Sequence, residues 1–190
     1  QNSKCFVVIE TPLLGREMFK RNQHYRVGVN GFLNRDAFWG ENIDRPSDRF
    51  DALGLQYKGW KQKEALGSKI VVALQLAGDA SLRNCNINEW CMDTVRELRE
   101  HTDRPIEIRL KPNRTERVTN KTIQQALAED VHCLVTYNSI ASIEALMEGK
   151  PALVLGPNAA EAVCETRIEK INNPKIEYKQ RSQLTISQEI

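Results

Sequence analysis

The stretch "HCLVTYNSIASIEALMEGKPALVLG", residues 132–156, decides how the rest of the chain is read. It opens on a continuous apolar run, "HCLVTY" (132–137), of the kind that forms a strand buried on both faces. "SIASIEALMEG" (139–149) changes to a helical spacing, and Gly149 stands where a helix ends in a left-handed residue. "KPALVLG" (150–156) returns to a strand pattern. Strand, helix and strand in this order predict a parallel pair joined by a crossover helix.

Working outward, the same alternation holds on the amino-terminal side. "KIVVALQ" (69–75) is a strand pattern. "INEWCMDTVRELREHT" (87–102) places Ile87, Trp90, Cys91, Val95 and Leu98 on one helical face, with Asn86 or Asn88 as cap. "RPIEIRL" (104–110) alternates like a strand, and "TNKTIQQALAED" (119–130) reads as a short helix. Beyond residue 156, "NAAEAVCETRIEK" (158–170) predicts one more helix. The fold class expected from residue 69 onward is therefore α/β, a Rossmann-like parallel sheet flanked by helices. Upstream, "CFVVIE" (5–10) reads as a strand covered on both faces and "HYRVGVNGFLN" (24–34) as a second strand ending in Asn-Gly. Residues 35–60 read as an ordered connection rich in aromatic and charged residues. The expected layout is a partial amino-terminal α/β region with its connection over 1–66, a Rossmann-like domain over 67–172, and a tail over 173–190.

The 190 residues suffice for one large or two small domains, and 41% hydrophobic with 27% charged residues fits a globular chain. A net charge of +2 is too small to argue for nucleic acid. Arg16, Lys20, Arg21 and Arg26 would suit a DNA backbone, and a solvated face explains them equally well. The five cysteines lack CxxC spacing and read as reduced thiols of a cytoplasmic protein. No apolar run approaches a membrane span, and no signal-peptide pattern is present. Opening on Gln1 just before a strand pattern leads us to expect a chain trimmed at its start.

In an open parallel sheet, ligands bind beyond the carboxyl ends of the strands. The four segments expected there are "LAGDAS", "KPNR", "NSIAS" and "GPNAA". Asn138 and Ser139 stand where a helix begins, and they either cap its free amides or bond a phosphate. Glu144 follows, an acceptor for ribose hydroxyls or a complement to the helix dipole. Arg109, Lys111, Arg114 and Arg117 make a basic loop, in which Lys111 is the point charge nearest the strand end. Asp79 reads either as a catalytic or acceptor-orienting carboxylate or as the acid of an Asx turn. His24, His101 and His132 form no ligand spacing, so no metal is expected.

These residues also carry a family likeness. Gln75, Asp79 and Ser81 in "QLAGDAS", then "LKPN", then Asn138, Ser139, Glu144, Ala145, Leu146, Gly149, Lys150 and Pro151 in "NSIASIEALMEGKP" resemble two-Rossmann-domain glycosyltransferases. The likeness is to capsule-polysaccharide Kdo transferases and to glycosyltransferases of tailed phages, and it covers roughly residues 69–156. Either Lys111-Pro112 stands where that family carries His-Pro, or Asn113 replaces the histidine. The resemblance implies that 67–172 is the nucleotide-sugar-binding half of such an enzyme. It implies donor contacts from Gln75, Gly78, Ser81, Lys111, Asn138, Ser139 and Glu144, with Asp79 as the catalytic carboxylate. It implies no cofactor besides the donor substrate itself. The expected partners are a nucleotide-sugar and an acceptor that is either a glycan or a modified DNA base, with a homo-oligomer left open. The other reading is a non-catalytic nucleotide- or phosphate-binding module serving sensing, assembly or counter-defence.

Overall fold

The most apolar runs become the central strands here, where both faces of the sheet are covered. The computed structural model describes residues 5–10, 25–31, 51–52, 54, 58, 65–111, 121–161 and 163–176. Strands β3 (Lys69–Ala73), β4 (Ile106–Arg109), β5 (Val131–Thr136) and β6 (Ala152–Val154) form a four-stranded sheet in the order β4-β3-β5-β6. Every pairing in it is parallel, with Ile70 opposite Ile106 and Cys133, and Leu134 opposite Ala152. The central strands β3 and β5 are almost wholly buried, whereas β4 lies at the edge with Ile108 exposed.

Among the described residues, three α-helices cover this sheet. Helix α1 (Ile87–His101) starts at Asn86, whose side chain accepts from the amides of Asn88 and Glu89. It seals one face, where Ile87, Cys91 and Leu98 pack on Ile70, Val72, Cys133, Val135 and Leu153. Helix α2 (Ile123–Leu127) carries a reciprocal capping box between Thr122 and Gln125. Helix α3 (Ala141–Met147) ends at Gly149, which holds φ +70° as a left-handed cap. These two helices seal the other face, packing Ile123, Leu127, Ile143 and Leu146 on Val71, Ala73, Leu134 and Val154. Each such side chain contributes about 1.5–3 kcal/mol by leaving water.

Two expectations are corrected. Residues 158–170 do not form a helix. Asn158 turns its side chain back to accept from the Ala160 amide, and Glu165 then pairs alongside Leu153, so a short-range side-chain bond displaces the helical ladder. Among the described residues of this stretch, 158–164 make turns and Ile168–Lys170 makes a single 3-10 turn. The segment that follows fastens to the sheet. The Ile171 carbonyl meets His132 Nε2 at 3.0 Å, and Asn172 bonds the His101 carbonyl and the Thr102 hydroxyl.

Secondly, β1 (Val7–Glu10) is not covered on both faces. It pairs antiparallel with β2 (Arg26–Val29), with Val7, Ile9, Val27 and Val29 exposed. Residues 35–50, the basic positions Arg16, Lys20 and Arg21, and Arg114 and Arg117 of the loop after β4 lie outside the described residues. No helix among the described residues is long and apolar enough to cross a membrane.

Candidate functional site

The strand order sets where a crevice opens. From β3 the chain moves by α1 to β4 on one flank, and from β5 it moves by α3 to β6 on the other. The carboxyl ends of β3 and β5 are therefore neighbours from which the chain departs in opposite directions, the switch point at which open α/β sheets bind ligands. Thr136, fully buried, donates to the Ala73 carbonyl at 2.8 Å and ties these two ends together.

Polar residues crowd this point. Gln75 leaves β3 and Asn138 leaves β5, both more than nine-tenths buried. Gln75 Nε2 donates to Asn138 Oδ1 at 2.6 Å and to Ser81 Oγ at 2.8 Å. Asn138 Nδ2 donates to the Ser81 carbonyl at 2.6 Å. Asp79 caps the 3-10 turn Ala80–Leu82, accepting on Oδ1 from both the amide and the hydroxyl of Ser81. The chain reaches this turn through Gly78 at φ +82°, a backbone state that a side chain would strain.

Lys111, just past β4, approaches from the flank, with Nζ 3.5 Å from Asp79 Oδ2. Partial burial raises the proton affinity of Asp79, but the two Ser81 bonds and the Lys111 charge outweigh it and hold its pKa below the ordinary value. The carboxylate is thus ionised at neutral pH and is tied to a cation at the crevice edge.

Five residues expected to share a site, Gln75, Asp79, Ser81, Lys111 and Asn138, form one chain of contacts, with Gly78 in the connecting turn. Ser139 follows Asn138 and is partly buried. Its hydroxyl accepts from the Ala141 amide at 3.2 Å, and its carbonyl accepts from Ser142 and Asn158. Glu144 stands apart from this chain of contacts. It accepts from Gln124 of α2 at 3.0 Å, and its charge is felt by the Arg109 guanidinium. Arg109 itself donates to the Lys121 carbonyl, and burial, only partly offset by Glu144 and Glu107, lowers its pKa.

Lys150 of the "GKP" element lies at the opposite end of the sheet. It is buried and donates to the carbonyl of Val131, the first residue of β5. That same end carries an ion cluster in which Lys69 meets Glu107 at 2.6 Å and Glu129 at 2.5 Å, with Lys121 also on Glu129. The two lysines drive the Glu129 pKa down to about 2.

Asn158 and Thr136 are the residues that sequence reading missed. Asn158 is buried and braces the start of α3 through Ser142 and the Ser139 carbonyl. Its signal was an amide in the turn after β6, in "GPNAA"; Thr136 carried none beyond being a hydroxyl at a strand end. Among the described residues no three His, Cys, Asp or Glu side chains gather as a metal site. None of the five cysteines is in a disulfide, and burial pushes the thiols of Cys133 and Cys164 strongly upward in pKa.

No family model and no curated protein matches the sequence. Solved structures do match. Thermosulfurimonas dismutans KpsC, beta Kdo 2,7 transferase, superposes with a TM-score of 0.60 at 15% identity, over 97% of this chain and 68% of that one. The same organism's KpsC, beta Kdo 2,4 transferase, matches with a TM-score of 0.45 at 14% identity, over 86% of this chain and 64% of that one. The parallel sheet with flanking helices is therefore a Rossmann-like fold shared with the beta Kdo 2,7 transferase.

Proposed function

We propose that the chain is a glycosyltransferase-like protein that takes a sugar from a nucleotide-activated donor bound where β3 and β5 diverge. The observation that carries this reading is the contact chain Gln75–Asn138–Ser81–Asp79–Lys111 at the switch point of a fold shared with a sugar transferase. In such a transfer the bond between the anomeric carbon and a phosphate oxygen breaks, and charge grows on the departing phosphate. Lys111, with the amide of Asn138 and the hydroxyl of Ser139, suits that charge, and a fixed cation there lowers the barrier most where water is excluded. Glu144, further along α3, would take the ribose hydroxyls.

Asp79 is the proposed catalytic carboxylate. Its lowered pKa makes it a weak base, since a general base works best with a pKa near the working pH. An ionised acid suits the other role better, that of facing or attacking the anomeric carbon as positive charge develops there. The acceptor would be a glycan or a modified nucleobase. A cytoplasmic setting, such as that of a phage-infected cell, would supply the nucleotide-sugar and keep the thiols reduced.

A second reading, a non-catalytic nucleotide- or phosphate-binding module, is favoured by one observation: Asp79 is already engaged by Ser81 and Lys111. Calorimetric titration with UDP- and CMP-sugars, paired with an assay for release of the free nucleotide, separates the two. Binding with release that Asp79→Ala abolishes supports the transferase. Binding without release on any acceptor supports the module, and no nucleotide binding refutes both.

A further inference from the structure

Among the described residues, one buried side-chain oxygen has no hydrogen-bond partner: Gln75 Oε1. Its neighbours fix which atom of the amide is left over. The Ser81 carbonyl can only accept, so Asn138 must turn Nδ2 toward it at 2.6 Å and Oδ1 toward Gln75. Gln75 must then present Nε2, because the flipped amide would set oxygen against oxygen at 2.6 Å. The second hydrogen of Nε2 goes to Ser81 Oγ, whose own hydrogen goes to Asp79. Both hydrogens of Gln75 Nε2 and the hydroxyl hydrogen of Ser81 are thus placed, and Gln75 Oε1 remains as a buried acceptor. An acceptor left unpaired in the interior is costly, and in native proteins such groups call for a specific partner.

We infer that Gln75 Oε1 receives a hydroxyl of the bound donor molecule, so that the crevice has two chemically distinct halves. This rests on the nucleotide-sugar reading above and adds to it a division of labour. The Lys111 half takes an anion. At Gln75 Oε1 the site offers a lone pair, which accepts a hydroxyl and repels phosphate or carboxylate oxygens. The 79–82 turn that abuts Gln75 is held by Gln75 and Asn138 on one side and by the half-exposed Asp79–Lys111 pair on the other. An anion that draws Lys111 away loosens the second of these ties and gives the hydroxyl its route.

The test is calorimetric titration of wild type, Gln75→Met and Lys111→Met with UDP-glucose, CMP-N-acetylneuraminate, UDP, CMP and inorganic pyrophosphate. Pyrophosphate carries the anion without any hydroxyl. Gln75→Met should weaken the nucleotide-sugars near tenfold and at least threefold, while leaving pyrophosphate within twofold; Lys111→Met should weaken all probes. A loss shared by UDP and CMP assigns the hydroxyl to ribose, and a loss confined to the nucleotide-sugars assigns it to the transferred sugar. A change below threefold for every nucleotide, or a loss of equal size for pyrophosphate, overturns the inference while the Lys111 effect leaves the donor reading standing. Failure of wild type to bind any nucleotide overturns both. Should Gln75→Met not fold, a crystal structure of wild type soaked with UDP-glucose or CMP-N-acetylneuraminate decides. A ligand hydroxyl within about 3.2 Å of Gln75 Oε1 supports the inference; a water retained there overturns it.

Discussion

Asn138→Ala tests the polar cluster at its centre. The side chain is 8% exposed and makes two bonds of 2.6 Å, accepting from Gln75 and donating to the Ser81 carbonyl. Alanine removes both bonds and strands a Gln75 N–H and the Ser81 carbonyl in a poorly hydrated place. Two net hydrogen bonds plus incomplete rescue of the stranded groups come to about 2–4 kcal/mol. For a chain of this size that is a fall of roughly 5–15 °C in the unfolding midpoint. Differential scanning calorimetry of wild type and variant at neutral pH measures it. Asn138→Asp serves as the partner experiment, since it keeps the shape but turns a carboxylate oxygen toward the Ser81 carbonyl. It should do no better than alanine. A midpoint shift under about 2 °C for alanine, or an aspartate variant as stable as wild type, would refute the assigned bonding.

Three other outcomes follow from the packing and the titrating groups. Gly156→Ala would set a methyl 2.8 Å from the ring of Tyr137, which Trp90 meets edge-on at 5.9 Å, and should cost about 1–3 kcal/mol. Urea unfolding measures this, and Tyr137→Leu in the same chain should recover part of it. Gly67→Ala would place its methyl 2.1 Å from the backbone carbonyl carbon of Asp130, where no side chain can yield, so the loss should exceed about 3 kcal/mol; an unchanged thermal midpoint would rule out that approach. His132 is buried, and burial together with the charge of Arg104 lowers its pKa below 6.5 despite its carbonyl partners. The unfolded chain then takes up this proton more readily, so the contribution of His132 is complete above pH 6.5 and declines as the pH falls below it. His132→Gln should flatten the midpoint-against-pH curve below pH 6.5, and a curve that keeps its slope would count against this assignment.

The sheet was legible because its strands are short apolar runs, and a run such as Val131–Thr136 has no other stable home than a two-sided interior. The helices were legible by spacing and by their ends, with Asn86 before α1 and Gly149 after α3. Much of the site was legible for a related reason. Once strand order places the ends of β3 and β5 together, Gln75 and Asn138 must meet, and Asp79 and Ser81 come with the turn between. What could not be read was the balance between equal local options. Residues 158–170 have helical spacing, yet the Asn158 amide satisfies the Ala160 N–H and redirects the chain to pair beside Leu153. Lys150 is charged and close in sequence to the site, yet its stem runs inward to a carbonyl at the far end of β5. Exposure of β1 was equally hidden, since the run Val7–Glu10 reads the same in a covered strand as in an open hairpin.

The fastening of Glu165 and Ile171–Asn172 onto β6, His132 and His101 has a consequence for biosynthesis. The bridging residue that borders β6 on its outer side, Glu165, is translated after every strand of that sheet. A nascent or proteolytically clipped chain ending before Glu165 therefore presents Ala152–Val154 as a bare, wholly apolar border able to recruit the same border of another copy. Aggregation of products that stop short of residue 165, set against solubility of those that extend to residue 176, is the signature to look for in a truncation series.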